Sequence, residues 1–140
     1  STTFAQILGA LGQNQPEASL KPATPTTTFR SGSAAGVLVL KDVTLTDVPV
    51  DSAFATLQLV AWDNASGKYP TWTEASVAWE AGLIAGGKST PFNVTEVGGS
   101  VNTPPYMAIP SFNLYIVPEP TTFALAGLGL PAMLVLRRRS

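Results

Sequence analysis

Residues 123–136 run for fourteen positions without a charge, and Arg137, Arg138 and Arg139 stand directly behind them. Any fold of this chain must bury that run or place it in lipid, since apolar surface left in water costs about 25 cal/mol per Å². Leu, Phe and Val favour a bilayer, and arginine marks its cytoplasmic flank. The pattern predicts a short membrane helix carried by Phe123, Leu125, Leu128, Leu130, Met133, Leu134, Val135 and Leu136, with Arg137, Arg138 and Arg139 as the cytoplasmic stop. Fourteen helical residues reach only about 21 Å, against a hydrocarbon core of roughly 30 Å. Thr121, Thr122 and snorkelling arginines close part of that gap. Pro131, Gly127 and Gly129 would weaken a helix in water but are tolerated in membranes. A buried core helix is the competing reading at this length. The three arginines and the terminal serine argue against it.

Pro118-Glu119-Pro120 precedes the run. The two prolines lack backbone donors and cannot continue a central ladder, so they mark a border between a body, residues 1–117, and a hydrophobic helix with its Arg-rich tail, residues 121–140. A Pro-Glu-Pro tripeptide is common by itself. Followed by an apolar run and an arginine cluster at the extreme C-terminus, it resembles the PEP-CTERM sorting signal of bacterial envelope proteins. That resemblance covers about a sixth of the chain. It implies recognition by exosortase, an integral-membrane transpeptidase-like enzyme, with export through the inner membrane, retention by the tail and cutting near the tripeptide. It also implies a body on the periplasmic or extracellular side and a C-terminus on the inner side. An export peptide is then expected to have preceded Ser1. The helix at Phe123–Leu136 is expected to make contacts beyond its own domain.

The body reads as β structure. Glycine and proline number twelve each and only 12% of residues are charged, which favours short strands joined by turns. In residues 2–12 a helical face (Phe4, Ile7, Leu8, Leu11) competes with a strand face (Phe4, Gln6, Leu8). The glycines and threonines favour the strand. Residues 13–28, with Pro16, Pro22 and Pro25, read as a polar surface loop, and 27–32 as a short edge strand. Alternation predicts strands within 36–48, where Val43 and Leu45 face inward, and over 54–62, where Ala55, Leu57, Leu59 and Ala61 oppose Thr56, Gln58, Val60 and Trp62. Residues 63–67 form a turn cluster. Thr71 and Glu74 have capping-box spacing and open a short helix that ends at Gly82. Gly86-Gly87 is expected as a loop, 89–97 as a strand with Phe92 and Val94 inward, 98–110 as an irregular excursion, and 111–117 as a last strand running into Pro118. The architecture expected is all-β: an antiparallel β-sandwich of two packed sheets, with a short helical insertion and one C-terminal transmembrane-like helix. The stretches Leu59–Asn64, Phe92–Thr95 and Ser111–Leu114 also resemble, more loosely, the bodies of such sorted proteins from planctomycete- and verrucomicrobia-like bacteria. Those bodies carry further strands upstream, and no function follows from that likeness.

Composition restricts the chemistry. With no Cys and no His, a disulfide framework, a thiolate nucleophile, a His-based triad and the usual zinc ligand sets are all excluded. Outside the terminal arginines, five basic residues face nine acidic ones, which gives no electrostatic footprint for nucleic acid. No cofactor and no catalytic residue is predicted. Asp63, Glu74 and Glu80, beside Trp62, Tyr69, Trp72 and Trp79, are the one grouping that could supply paired carboxylates. The tryptophans Trp62, Trp72 and Trp79 could form a sugar-stacking platform, although aromatics of this size more often fill a core. Asp63, Asn64 and Gly67 lack the spacing of a calcium loop, and the sequons at Asn64 and Asn93 are short enough to arise by chance. The expected function is that of a non-enzymatic, exported envelope protein, either surface, matrix or fibre material or a membrane-anchored accessory subunit. The alternative is a carbohydrate-binding module for envelope or extracellular polysaccharide. The expected partners are the membrane, an exosortase-like processing enzyme, and either other subunits of an envelope assembly or polysaccharide.

Overall fold

The computed structural model describes residues 1–118. Two long antiparallel strands form its centre, β1 (Thr3–Leu11) and β4 (Phe54–Asp63), paired over nine residues from Thr3↔Asp63 to Leu11↔Ala55. Short strands flank this pair. On the free edge of β1 lie β2 (Lys21–Pro22) and β3 (Thr27–Thr28). On the free edge of β4, β5 (Gly86–Lys88) pairs with Val60–Trp62 and β6 (Phe92–Thr95) with Phe54–Leu57. One α-helix, α1 (Trp72–Glu80), and two single 3-10 turns, Glu17–Ser19 and Gly32–Ala34, complete the regular elements among the described residues.

The register explains why both faces of the central pair are apolar. Directly opposed residues share a face, so Ala5, Ile7, Leu57, Leu59 and Ala61 point one way and Phe4, Leu8, Val60 and Trp62 the other. The strand reading of residues 2–12 holds, and its helical competitor does not. On the first face the cover is irregular chain: Leu38, Val43, Leu45 and Val48 from one segment, and Val97, Met107, Ile109 and Phe112 from another. On the second face lie α1 and the turn that carries Leu20.

The described residues therefore form a single six-stranded antiparallel sheet covered on both sides, where two sheets packed face to face were expected. Residues 36–48 are not a strand. Their ladder pairing with the sheet region is limited to the single bridges Phe29↔Leu38 and Thr24↔Thr44. The backbone turns left-handed at Gly36 (φ 88°) and Asp47 (φ 57°), which interrupts any extended run, and Lys21 pairs with Asp47 to fix the far end. The hydrophobic alternation was a true burial signal, but it marks a lid. The polar loop expected over 13–28 contains β2, β3 and the buried Leu20 and Ala23. Gly86-Gly87, expected as a loop, belongs to β5. The strand expected at 89–97 shortens to β6, with Phe92 and Val94 packed on the first core as anticipated.

The helix starts where its capping signal lies. Glu74 accepts the Thr71 backbone N–H at 3.1 Å and the Thr71 hydroxyl as well. Those bonds hold the Glu74 carboxyl below its ordinary range, the Thr71 hydroxyl being the main cause. A second anchor was not anticipated. Gln6, buried within the sheet, accepts the Trp72 N–H through Oε1 at 2.9 Å and donates from Nε2 to the Ala23 carbonyl at 2.8 Å. One side chain thus ties the helix start and the β2 edge to the central strand.

Candidate functional site

The segment that leads out of the domain, residues 111–118, is where fold and function meet. It makes no regular strand. Tyr115 and Gly86 instead form one antiparallel bridge, each N–H donating to the other's carbonyl at 3.0 Å. The Tyr115 carbonyl also accepts the Trp79 indole N–H at 3.1 Å. The Tyr115 ring meets Trp79 edge-on, with centroids 5.4 Å apart. Phe112 packs on the first core and Val117 on the second, so the segment is held from both sides of the sheet.

The two glycines of β5 make this approach feasible. A Cβ at Gly87 would stand 2.3 Å from the Asn113 carbonyl oxygen, and one at Gly86 would stand 2.9 Å from Trp79 Cγ. Only hydrogen in place of a side chain lets the exit segment and the indole lie this close. The Gly-Gly pair that looked like a turn signal marks a close approach of two backbones.

Trp79 ends an aromatic series that begins inside the sheet. Phe4 lies 6.0 Å from Trp62, Trp62 5.9 Å from Trp72, and Trp72 5.5 Å from Trp79, all tilted pairs. Trp62 donates its indole N–H to the Tyr69 carbonyl at 2.8 Å. At the outer edge Lys88 lies 5.9 Å above the Trp79 ring and pairs with Glu17. Trp62, Trp72 and Trp79 are 0, 8 and 6% exposed. They fill the second core, and none presents an open ring face of the kind on which a sugar stacks. Asp63, Glu74 and Glu80 are not brought together as a pair for acid–base work. Asp63 accepts the Ala65 N–H at 2.9 Å within its own turn, Glu74 caps the helix, and Glu80 sits at the other end of α1. The Asn64 side chain is buried and accepts the Tyr69 N–H at 2.9 Å, so this turn satisfies its own amides. Among the described residues no three His, Cys, Asp or Glu side chains form a cluster suited to a metal ion.

The direction in which the chain leaves follows from strand sense. β5 runs antiparallel to β4, away from the Trp62 end of the sheet. The Tyr115 bridge is antiparallel to β5, so Ile116, Val117 and Pro118 run off the sheet at the Trp62 end. Comparison with protein families decides what that exit leads to: residues 117–139 match the PEP-CTERM protein-sorting motif. The chain carries a PEP-CTERM sorting motif. This motif implies an exported protein that is sorted by exosortase and associated with the cell-envelope membrane through its C-terminus. No curated protein and no solved structure matches the chain.

The first residue of the PEP-CTERM match is Val117, which the domain packs into its second core. Sorting motif and body are therefore joined without a linker. Pro118 is the last described residue. Glu119, Pro120, the helix predicted from Phe123 to Leu136 and the stop at Arg137–Arg139 lie outside the described residues. No helix among the described residues is long and apolar enough to cross a membrane.

Proposed function

We infer that the chain is a non-enzymatic envelope protein whose sheet domain is cargo displayed outside the inner membrane and held there by its tail, N-out and C-in, until exosortase acts. The observation that carries this reading is the seam at Val117: the sorting motif begins on a residue that the folded body already packs against its second core. The folded body thus extends up to the point where the address begins. A structural or interaction role, in surface or matrix material or as an accessory subunit, fits a domain whose three tryptophans are spent on its interior. The carbohydrate-binding alternative needs an exposed aromatic platform, and Trp62, Trp72 and Trp79 do not provide one.

Single-cysteine labelling tests the display, because the chain has no cysteine of its own. The protein, fused behind a cleavable export peptide, is made in cells that lack exosortase. A membrane-impermeant maleimide added to spheroplasts is expected to label Val101→Cys at once, and Ser140→Cys only after permeabilisation. Immediate labelling at both positions, or at neither, contradicts the orientation.

A further inference from the structure

We propose that the end of the sheet from which Pro118 leaves is a membrane-contacting face, seated on the lipid surface through Leu83, Leu114, Tyr115 and Ile116. This rests on the reading that the tail anchors the body. Those four side chains are 68, 38, 52 and 60% exposed, and the segments that carry them meet at the Trp62 end of the sheet. Tyr115 pairs directly with Gly86, three residues after Leu83. Leu114 and Ile116 flank Tyr115. Exposed apolar residues scattered singly need no explanation, but a group at the point where the chain turns toward lipid does.

The reach of the chain identifies the occupant. Only five residues, 118–122, separate Val117 from Phe123, where the uncharged run of the sorting motif begins. Fully extended, that connection covers at most about 20 Å, and the headgroup layer occupies roughly 5–8 Å of it on each side of the bilayer. Val117 is half-buried against the second core, which holds this point of the chain to the body. The Trp62 end of the sheet is thus kept within at most about 12–15 Å of the lipid surface. Tyrosine settles at such an interface, and leucine and isoleucine beside it favour the adjoining acyl boundary. In the neighbouring turn the charges of Asp63 and Lys68 offset one another.

The sheet also supplies an internal control. β4 takes eight residue steps from Trp62 to Phe54, about 26 Å along the strand. Val101 lies beyond that far end, its N–H donating to Asp51, and it is exposed. The experiment uses the full chain reconstituted into phosphatidylcholine–phosphatidylglycerol vesicles that carry nitroxide-headgroup lipid. An environment-sensitive fluorophore is placed on Leu83→Cys or on Val101→Cys. Loss of emission at 83 with none at 101 is the expected result. Adding Ile116→Glu to the Leu83→Cys protein should restore emission while the protein still pellets with vesicles. Equal quenching at both sites, or none at either in protein that pellets, overturns the contact face but leaves anchoring intact. Protein that stays in the supernatant overturns the anchoring reading, and the face with it.

Discussion

Replacing Gly87 with alanine tests whether the exit segment is truly seated on β5. The added Cβ would stand 2.3 Å from the Asn113 carbonyl oxygen. That neighbour is backbone, so the segment itself must move. What it loses is the pair of Tyr115–Gly86 hydrogen bonds, the indole bond from Trp79 and the edge-on ring contact. Each hydrogen bond contributes about 0.5–1.5 kcal/mol net, and the ring pair a similar amount. Tyr115 is half exposed, so water replaces part of the loss, and the low end of the summed range applies, about 2–3 kcal/mol. Local opening of this segment should then become about 30- to 150-fold more frequent. Amide hydrogen exchange reads this directly: the Tyr115 and Gly86 amides should lose protection by that factor, while Ala5, Leu59 and the other central amides keep theirs. Unchanged protection at Tyr115 in a folded variant would refute the seat.

Other substitutions probe the remaining supports. Gln6→Leu leaves the Trp72 N–H and the Ala23 carbonyl buried without their partner, and should cost about 2–4 kcal/mol in denaturant unfolding; a loss below about 0.5 kcal/mol would mean that those groups find other partners. Trp62→Ala empties the centre of the second core and should cost about 3–5 kcal/mol by the same assay. Asp51 accepts N–H bonds from Asn102, Val101 and Ser100, which hold its carboxyl below the ordinary 3.8, the Asn102 bond being the largest cause. A group whose folded value is depressed stabilises most above its unfolded value and loses that contribution as pH falls through the folded one. The loop at 99–102 should therefore loosen only in acid below about pH 3.8, seen as acid-dependent exchange at Val101 and Asn102 that Asp51→Asn removes. Polysaccharide titration should leave tryptophan emission unchanged, because the indoles are buried; a saturable shift would reopen the sugar reading.

Much of the central architecture was legible because alternation and burial agree there. The run from Ala55 to Trp62 alternates side chains across a pleat, and the structure gives each set its own core. The helix was legible from Thr71 and Glu74, whose spacing has one common structural meaning. The lid at 36–48 was misread because Leu38, Val43 and Leu45 carry the same burial signal whether their backbone pairs with a neighbour or not. Periodicity reports which side chains are covered, and it is silent on where backbone hydrogen bonds go. Gly86 and Gly87 failed for a related reason. Glycine serves a turn and a close approach equally well, and only the positions of Asn113 and Trp79 distinguish them. The tryptophans could not be assigned as platform or core from spacing alone, since three indoles in eighteen residues suit either. The sorting signal was legible from the order of its three parts. The border at Pro118 was legible from its two prolines, but the packing of Val117 on the second core was not, because a valine before a proline has no signature.

The most direct test of the account is the C-terminal mass of the protein from cells that make exosortase, compared with cells that lack it. With the enzyme, the account predicts a mature C-terminus close to Pro118-Glu119-Pro120, with Val117 retained because the body holds it. Without the enzyme, it predicts an intact Arg137–Ser140 end on protein that fractionates with the membrane. An intact tail in both strains, or a cut upstream of Tyr115 inside the seated segment, would contradict it.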